Sequence, residues 1–353
     1  MKIVIHHFYG CILPQYPPLF LPLYLETSFI MQNIVVTGCA GFIGSHLCEE
    51  LLKLKYNIIG IDNFDPFYPR EIKESNLHQL LGNSNFTFIE ADLTNLESCI
   101  NHINQTEVVI HLAGKAGVRP SIDHPELYID HNIIATKNVL EAMRKNSISK
   151  MLFASSSSVY GNNPKTPWSE SLNVDNPISP YAFSKKSCEL LNHTYHHLYN
   201  LDILNLRFFT VFGPRQRPDL AIHKFVKLIE NGEEITMYGD GNTSRDYTYV
   251  KDTCNGIIKA LEYITINENV FDTLNLGHHH PVKLKDLIRM IGDATRISPK
   301  IKQLPMQPGD VDITYADISK AQKLLGYCPK TEMKDGLREF VKWYRQTQIT
   351  QEI

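Results

Sequence analysis

The sequence contains no Cys-x-x-Cys pair, although it has seven cysteines, at positions 11, 39, 48, 99, 188, 254 and 328. An odd, dispersed set of this kind excludes a disulfide framework or a zinc ribbon. It points instead to buried thiols in a reducing, cytoplasmic setting. There is no block of basic residues, and the formal net charge is -3, so nucleic acid is not an expected partner. Internal repeats and low-complexity tracts are absent. The one long apolar run, Phe8 to Ile30, is broken by Pro14, Pro17, Pro18 and Pro22. Proline at that density excludes a clean membrane span or a signal-peptide core. Residues 1–30 therefore read as an extension, disordered or lying on the surface, with a membrane-touching segment as the alternative. Met31 directly precedes the first strand. What is present is ordinary for a globular protein: 353 residues, 43% hydrophobic and 21% charged. That is ample core for one large domain or two close-knit lobes.

Asn33-Ile-Val-Val-Thr37 has the pattern of a buried strand. It runs into Gly38-Cys-Ala-Gly41-Phe42-Ile43-Gly44 and then an amphipathic helix to about Lys55. Strand, Gly-x-x-Gly-x-x-Gly and helix, in that order, suit a dinucleotide: glycines let the backbone approach a pyrophosphate at a helix N-terminus. A second strand, Asn57 to Ile61, ends in Asp62, about twenty positions past the glycines. A carboxylate there would bond the adenosine ribose hydroxyls and repel a 2′-phosphate, favouring NAD over NADP. Further strands read at Phe86–Glu90, Val108–Leu112, Met151–Ala154 and Asp202–Arg207, with long helices near 125–146 and 181–200. Alternation of this kind predicts an α/β fold with a parallel doubly wound (Rossmann) sheet. After Phe208 a helix at Ala221–Glu230, short strands near Ile235–Met237 and Tyr247–Tyr249, and helices near Leu284–Ile291 and Met333–Tyr344 alternate with proline and glycine. This reads as a smaller lobe over the cofactor edge. The expected division is 31–207 with 247–279 for the cofactor, and 208–246 with 280–353 for the substrate.

Tyr181-Ala-Phe-Ser-Lys185 sets a phenol and an ammonium one helical turn apart. A free tyrosine has a pKa of about 10, and a fixed cation beside it favours the phenolate. The pair can then accept a proton. The run Ser155-Ser156-Ser157-Ser158 at the end of an apolar strand supplies a hydroxyl. His278-His279-His280 follows the strand end Asn275-Leu-Gly277. Consecutive residues cannot all face one ion, so a structural role is expected and no metal. Trp168 and the prolines from Pro164 to Pro180 are expected to shape a loop beside the site.

On Thr37-Gly-Cys-Ala-Gly-Phe-Ile-Gly44, Ser156 with Tyr181 and Lys185, Ser244-Arg-Asp-Tyr247 and Asn275-Leu-Gly277, residues 32 to about 346 resemble the extended short-chain dehydrogenase/reductases of the nucleotide-sugar epimerase kind. Three further stretches resemble the UDP-glucuronate 4-epimerases within that family: Ala116-Gly-Val-Arg119, Leu206 to Arg215 continuing through Arg217 to Ala221, and Met306 to Val311. The resemblance implies that Gly38, Gly41, Phe42, Ile43, Gly44 and Asp62 hold the NAD pyrophosphate and ribose, with Asp92 and Leu93 near the adenine. Ala113, Lys115, Asn132, Tyr181, Lys185 and Phe209 would position the nicotinamide half. Ser156, Tyr181 and Lys185 would be catalytic, and Ser157 and Ser158 would face the sugar. Thr210 and Arg217 fall where glucuronate epimerases meet substrate, and Arg245 and Asp310 where the family meets UDP.

Galactose-type epimerases carry asparagine at the Thr210 position and arginine at the Gln307 position, so both differences disfavour that activity. The implied reaction is 4-epimerisation of UDP-glucuronate to UDP-galacturonate through a 4-keto sugar, with NAD kept bound. That intermediate is a β-keto acid and can lose CO₂. Arg217, or failing it Arg119, is the candidate to hold the carboxylate near the ring plane and deny that loss its orbital alignment. The alternative for Arg217 is a loop cation paired with Asp219. A decarboxylase, a UDP-hexose 4-epimerase and a non-catalytic NAD-binding scaffold are the competing readings. A 4,6-dehydratase would need an Asp-Glu pair where Ser157-Ser158 stands. The family also implies a homodimer through the helices near 125–146 and 181–199, which carry Leu127, Ile129, Ile133, Val139, Leu140, Leu190, Leu191 and Leu198.

Overall fold

Asn33-Ile-Val-Val-Thr37 becomes a central strand because its β-branched residues are apolar on both faces. Ile34 and Val36 enter one buried core, and Val35 enters the other. The computed structural model describes residues 33–305 and 311–351. The expectations for residues 1–30, Gln307 and Asp310 lie outside these residues.

In chain order the strands are β1 (Asn33–Thr37), β2 (Asn57–Asp62), β3 (Phe86–Glu90), β4 (Val108–His111), β5 (Lys150–Ser156), β6 (Asp202–Phe208), β7 (Thr210–Phe212), β8 (Glu234–Tyr238), β9 (Ser244–Tyr249), β10 (Phe271–Leu276), β11 (Pro281–Lys283) and β12 (Lys300–Leu304). Seven of them form a sheet in the order β10-β6-β5-β4-β1-β2-β3, and every pairing in it is parallel. Helices Phe42–Lys53 and Val250–Ile266 supply one apolar layer. Helices Leu96–His102, Ala135–Lys145 and Pro180–Tyr199 supply the other. This is the doubly wound arrangement predicted, with its switch in strand order between β1 and β4, where such sheets open a crevice for ligands. Two small sheets lie beyond it, β11-β9-β7 and β12-β8.

Three details differ from the expected elements. The helix expected over 125–146 is divided: an α turn at Pro125–Tyr128, a π-helical stretch at Ile129–Ile134 and an α-helix at Ala135–Lys145. Such wide turns are frequent at functional sites. The strand expected at Tyr247–Tyr249 begins at Ser244, because its first half pairs with Pro281–Lys283. The helix expected to end at Tyr344 continues to Gln351. No helix among the described residues is long and apolar enough to cross a membrane.

Candidate active site

Glycine is required at two positions of the first strand–helix turn. Gly38 has φ +73°, a conformation open to few other residues. A Cβ on Gly44 would stand 2.1 Å from the Gly38 carbonyl oxygen, so any side chain would push the helix off the turn. The turn opens into a cleft of about 640 Å³ at the carboxyl ends of the strands. Gly38, Gly41, Phe42, Ile43, Gly44, Asp62, Asp92, Leu93, Ala113, Lys115 and Phe209 all line it. The glycine cradle and the acid at the end of β2 are what a dinucleotide requires, so these residues fit NAD. Burial pushes the Asp62 carboxyl up; Lys73 and the amides of Phe64 and Ala40 pull it back in part. Asp92 is lowered: burial acts against this, but its bonds from Thr94 and Asn63 outweigh it.

Ser179 caps the helix that carries the pair, its hydroxyl accepting from Ala182 N at 3.1 Å, and Pro180 occupies the first turn. Both choices favour helix initiation at that point. Tyr181 and Lys185 then face the cleft beside Ser156 at the end of β5. Lys185 Nζ donates to the Ala154 carbonyl at 2.8 Å and lies 5.0 Å from the Phe153 ring centre. Burial lowers its pKa, while Cys188 and Glu189 act in the opposite sense. Burial raises the Tyr181 phenol, and a hydrogen bond with Ser156 and the charge of Arg217 partly offset that. Arg217 is thus a cation whose field lowers the phenol, in addition to the helical neighbour Lys185.

Asn132 does not reach the cleft wall. It sits in the π-helical stretch, fully buried, and its amide brackets Lys115: Oδ1 accepts from Lys115 N at 2.8 Å and Nδ2 donates to Lys115 O at 3.0 Å. Its place is therefore behind Lys115, fixing the backbone there. Ser157, Ser158, Thr210, Arg119, Arg217 and Arg245 all line the cleft. Ser156 Oγ accepts from Ser158 N at 3.1 Å. The Ser158 hydroxyl is buried with no partner among the described residues, which suits a group that bonds a sugar. Arg245 Nη1 donates to Ser244 O. Arg217 pairs with Asp219 through two bonds, 2.9 and 2.8 Å, so the loop-cation alternative is realised in the same residue that faces the cleft.

Sequence reasoning missed the loop after β2. Asp65, Phe67, Tyr68 and Lys73 line the cleft. Asp65 forms an ion pair of 2.9 Å with Lys115, and Phe67 lies under the Arg217 guanidinium. No spacing rule connects residues 50 or 150 positions apart, so nothing local announced these contacts. The His278 and His279 rings bond the carbonyls of Thr331 and Ala316, and their amides donate to Asp246; the triplet has a structural place. Trp168 lines the cleft and stacks on Tyr160 at 5.2 Å. Cys39, Cys48, Cys99, Cys188 and Cys254 are buried free thiols.

A seven-stranded parallel sheet with a glycine turn on β1 and Ser, Tyr and Lys converging at β5 defines an extended short-chain dehydrogenase/reductase. The chain belongs to the GDP-mannose 4,6 dehydratase family, whose model matches residues 35–340. It is 40% identical over 320 residues to a UDP-glucuronate 4-epimerase of Thermodesulfobacterium geofontis, covering 90% of this chain and 97% of that one. Among solved structures, it is similar to the UDP-glucuronic acid 4-epimerase of Bacillus cereus in complex with UDP-glucuronic acid and NAD. That match has a TM-score of 0.85 and 39% identity, covering 89% of this chain and 99% of the other. The UDP-N-acetylglucosamine 4-epimerase of Methanobrevibacter ruminantium, in complex with UDP-N-acetylmuramic acid, matches with a TM-score of 0.82 and 35% identity, covering 90% and 99%.

Proposed function

We propose that this protein interconverts UDP-glucuronate and UDP-galacturonate through a 4-keto sugar, with NAD kept bound throughout. The observation that carries the reading is the meeting of Thr210 and Arg217 with Ser156 and Tyr181 in one cleft, in a chain 40% identical to a UDP-glucuronate 4-epimerase. The chemistry supplied by the nicotinamide, when bound, is removal of the C4 hydrogen as hydride and its return.

Tyr181 takes the proton of the sugar 4-hydroxyl and later gives it back. Ser156, whose hydroxyl acts to lower the Tyr181 phenol, steadies that oxygen. Lys185, anchored on Ala154, holds positive charge near the same place. Ser157 and Ser158 bond the sugar, and Arg245 and Asp310 meet the UDP. We assign 31–207 with 247–279 to the cofactor and 208–246 with 280–353 to the sugar nucleotide.

Decarboxylation is the side reaction this site must refuse. In it the C5–C6 bond breaks, its electron pair passes into the C4 enolate, CO₂ leaves and C5 takes a proton. Arg217 opposes this by holding the carboxylate close to the plane of the ring carbonyl. Proton NMR of the purified protein with UDP-glucuronate tests the assignment. UDP-galacturonate without UDP-pentose is expected; UDP-glucose turned over equally well would overturn it.

The protein works as a cytoplasmic homodimer. Ile129, Phe183, Leu190 and Leu198 are between 44% and 58% exposed on neighbouring helices, an apolar surface that suits a two-fold partner. Val139 and Leu140, by contrast, are fully buried in the chain's own core and leave the expected dimer face. A monomer mass by light scattering at micromolar concentration would contradict the dimer.

A further inference from the structure

Arg217 is held on two sides. Along one edge, Nε and Nη2 donate to the two oxygens of Asp219 at 2.9 and 2.8 Å. Over one face, the Phe67 ring centre lies 4.9 Å from the guanidinium carbon. Phe67 is itself fixed from the cofactor side. Its amide donates to Asp65 Oδ1 at 3.0 Å, and that carboxylate is paired with Lys115. Lys73 Nζ bonds the Asp65 carbonyl at 2.7 Å. The residue just before Arg217 is anchored too: His223 Nδ1 meets the Gln216 carbonyl at 2.7 Å.

A guanidinium carries five N–H donors in a planar fork. Asp219 takes the Nε hydrogen and one of Nη2. Among the described residues no acceptor takes either Nη1 hydrogen. The remaining Nη1/Nη2 edge has the geometry that receives a carboxylate through two parallel bonds. Arg217 lines the cleft together with Phe67, Tyr181 and Thr210, and its charge reaches the Tyr181 phenol. A flexible arginine would lose rotamer freedom on gripping a ligand; one already stacked and paired has lost most of it beforehand.

We propose that Phe67 and Asp219 are positioning residues that pre-set Arg217, one against its face and one along its edge, so that the remaining edge receives the carboxylate of a sugar-nucleotide acid in preference to a neutral hexose. This rests on the UDP-glucuronate reading above. It assigns discrimination between acid and neutral sugars partly to a loop that belongs, by sequence, to the cofactor half.

The test uses the full-length, NAD-loaded protein with Phe67→Leu, Phe67→Tyr and Asp219→Asn. Phe67→Leu keeps apolar bulk without a π face, and Asp219→Asn keeps shape without charge. Affinities for UDP, UDP-glucose and UDP-glucuronate are measured, with the UDP-pentose fraction by proton NMR. The Leu and Asn variants should lose roughly three- to thirtyfold of the preference for UDP-glucuronate over UDP-glucose. Their UDP affinity should be held and their UDP-pentose fraction should rise. Phe67→Tyr should keep most of the preference. UDP binding reports an intact fold, a readout that general destabilisation would move and loss of the carboxylate seat would not. If native protein does not prefer the acid, the uronate reading falls and the seat with it. If native protein prefers it and both variants prefer it equally, only the Phe67–Asp219 assignment falls. Tighter UDP-glucuronate binding in Asp219→Asn would show that Asp219 competes for Arg217, which also overturns the proposal.

Discussion

Glu189 receives Arg207 Nε and Nη2 at 2.8 and 2.7 Å, in a place where both side chains are at most 5% exposed. Ser155 Oγ donates to the same carboxylate at 2.6 Å. The pair therefore ties β5, β6 and the helix of Tyr181 and Lys185 together directly beneath the reacting layer. Glu189 is one turn past Lys185, and Ser155 immediately precedes Ser156.

Breaking that pair should be far costlier than replacing it. Glu189→Gln leaves the Arg207 charge buried and uncompensated, a loss of about 3–5 kcal/mol. The double change Glu189→Leu with Arg207→Met removes both charges and should recover most of that stability. Equilibrium unfolding in urea of both variants checks this. A single variant as stable as the native protein would show that the pair carries no net burden.

Tyr181→Phe should keep NAD bound and lower epimerisation on the order of 10²–10⁴-fold, the usual effect of losing a positioned acid–base group. NAD content after gel filtration and turnover by proton NMR measure the two effects separately. Native-like turnover in this variant would remove Tyr181 from the mechanism.

What was legible in the sequence was local. Gly38 to Gly44, Ser156, and Tyr181 with Lys185 each sit within one strand end, turn or helical turn, where spacing alone sets geometry. What stayed hidden depends on tertiary approach. Phe67 and Arg217 meet across 150 positions, Asp65 and Lys115 across 50, and no periodicity links either pair. The contribution of Arg217 at the phenol stayed hidden for the same reason: i,i+4 spacing pairs Lys185 with Tyr181, but only the folded chain brings Arg217 there. The helix around Asn132 was read as continuous because its apolar repeat does not reveal a π turn. Val139 and Leu140 look like surface candidates in a one-dimensional reading and prove to be core.

Acid should destabilise the fold through its buried histidines. His111 and His46 are pushed down to about 3, chiefly by burial, with Lys185 acting on the first and Arg215 on the second. In the unfolded chain each titrates near 6.5. Between about pH 6.5 and 3 the unfolded state binds more protons, so stability falls as pH falls through that window. Each histidine contributes up to roughly 1.4 kcal/mol per pH unit there. His111 is bonded on both ring nitrogens, to Thr37 and Thr136. His111→Gln should therefore lower stability at pH 7 but give a shallower slope between pH 6 and 5. Urea midpoints across that range check the sign; an unchanged slope would mean that His111 already takes up its proton in the native state.

Arg217→Ala should separate the two roles of one side chain. Its charge-assisted contact with the substrate carboxylate is stronger than a neutral bond, so UDP-glucuronate binding should weaken while UDP binding is kept. The freed carboxylate can rotate out of the ring plane, and the fraction released as CO₂ should rise. A second effect follows from the field at Tyr181. Arg217 lowers the phenol pKa against the upward push of burial, so removing it should move the basic group's limb of the rate profile to higher pH. That limb can be followed in the residual epimerisation of the variant. A neutral sugar nucleotide has no carboxylate to lose, and its binding should change little. If Arg217→Ala keeps full affinity for UDP-glucuronate and releases no extra CO₂, the epimerase assignment stands without this clamp. Arg119, which lines the same cleft, is then the cation to change next.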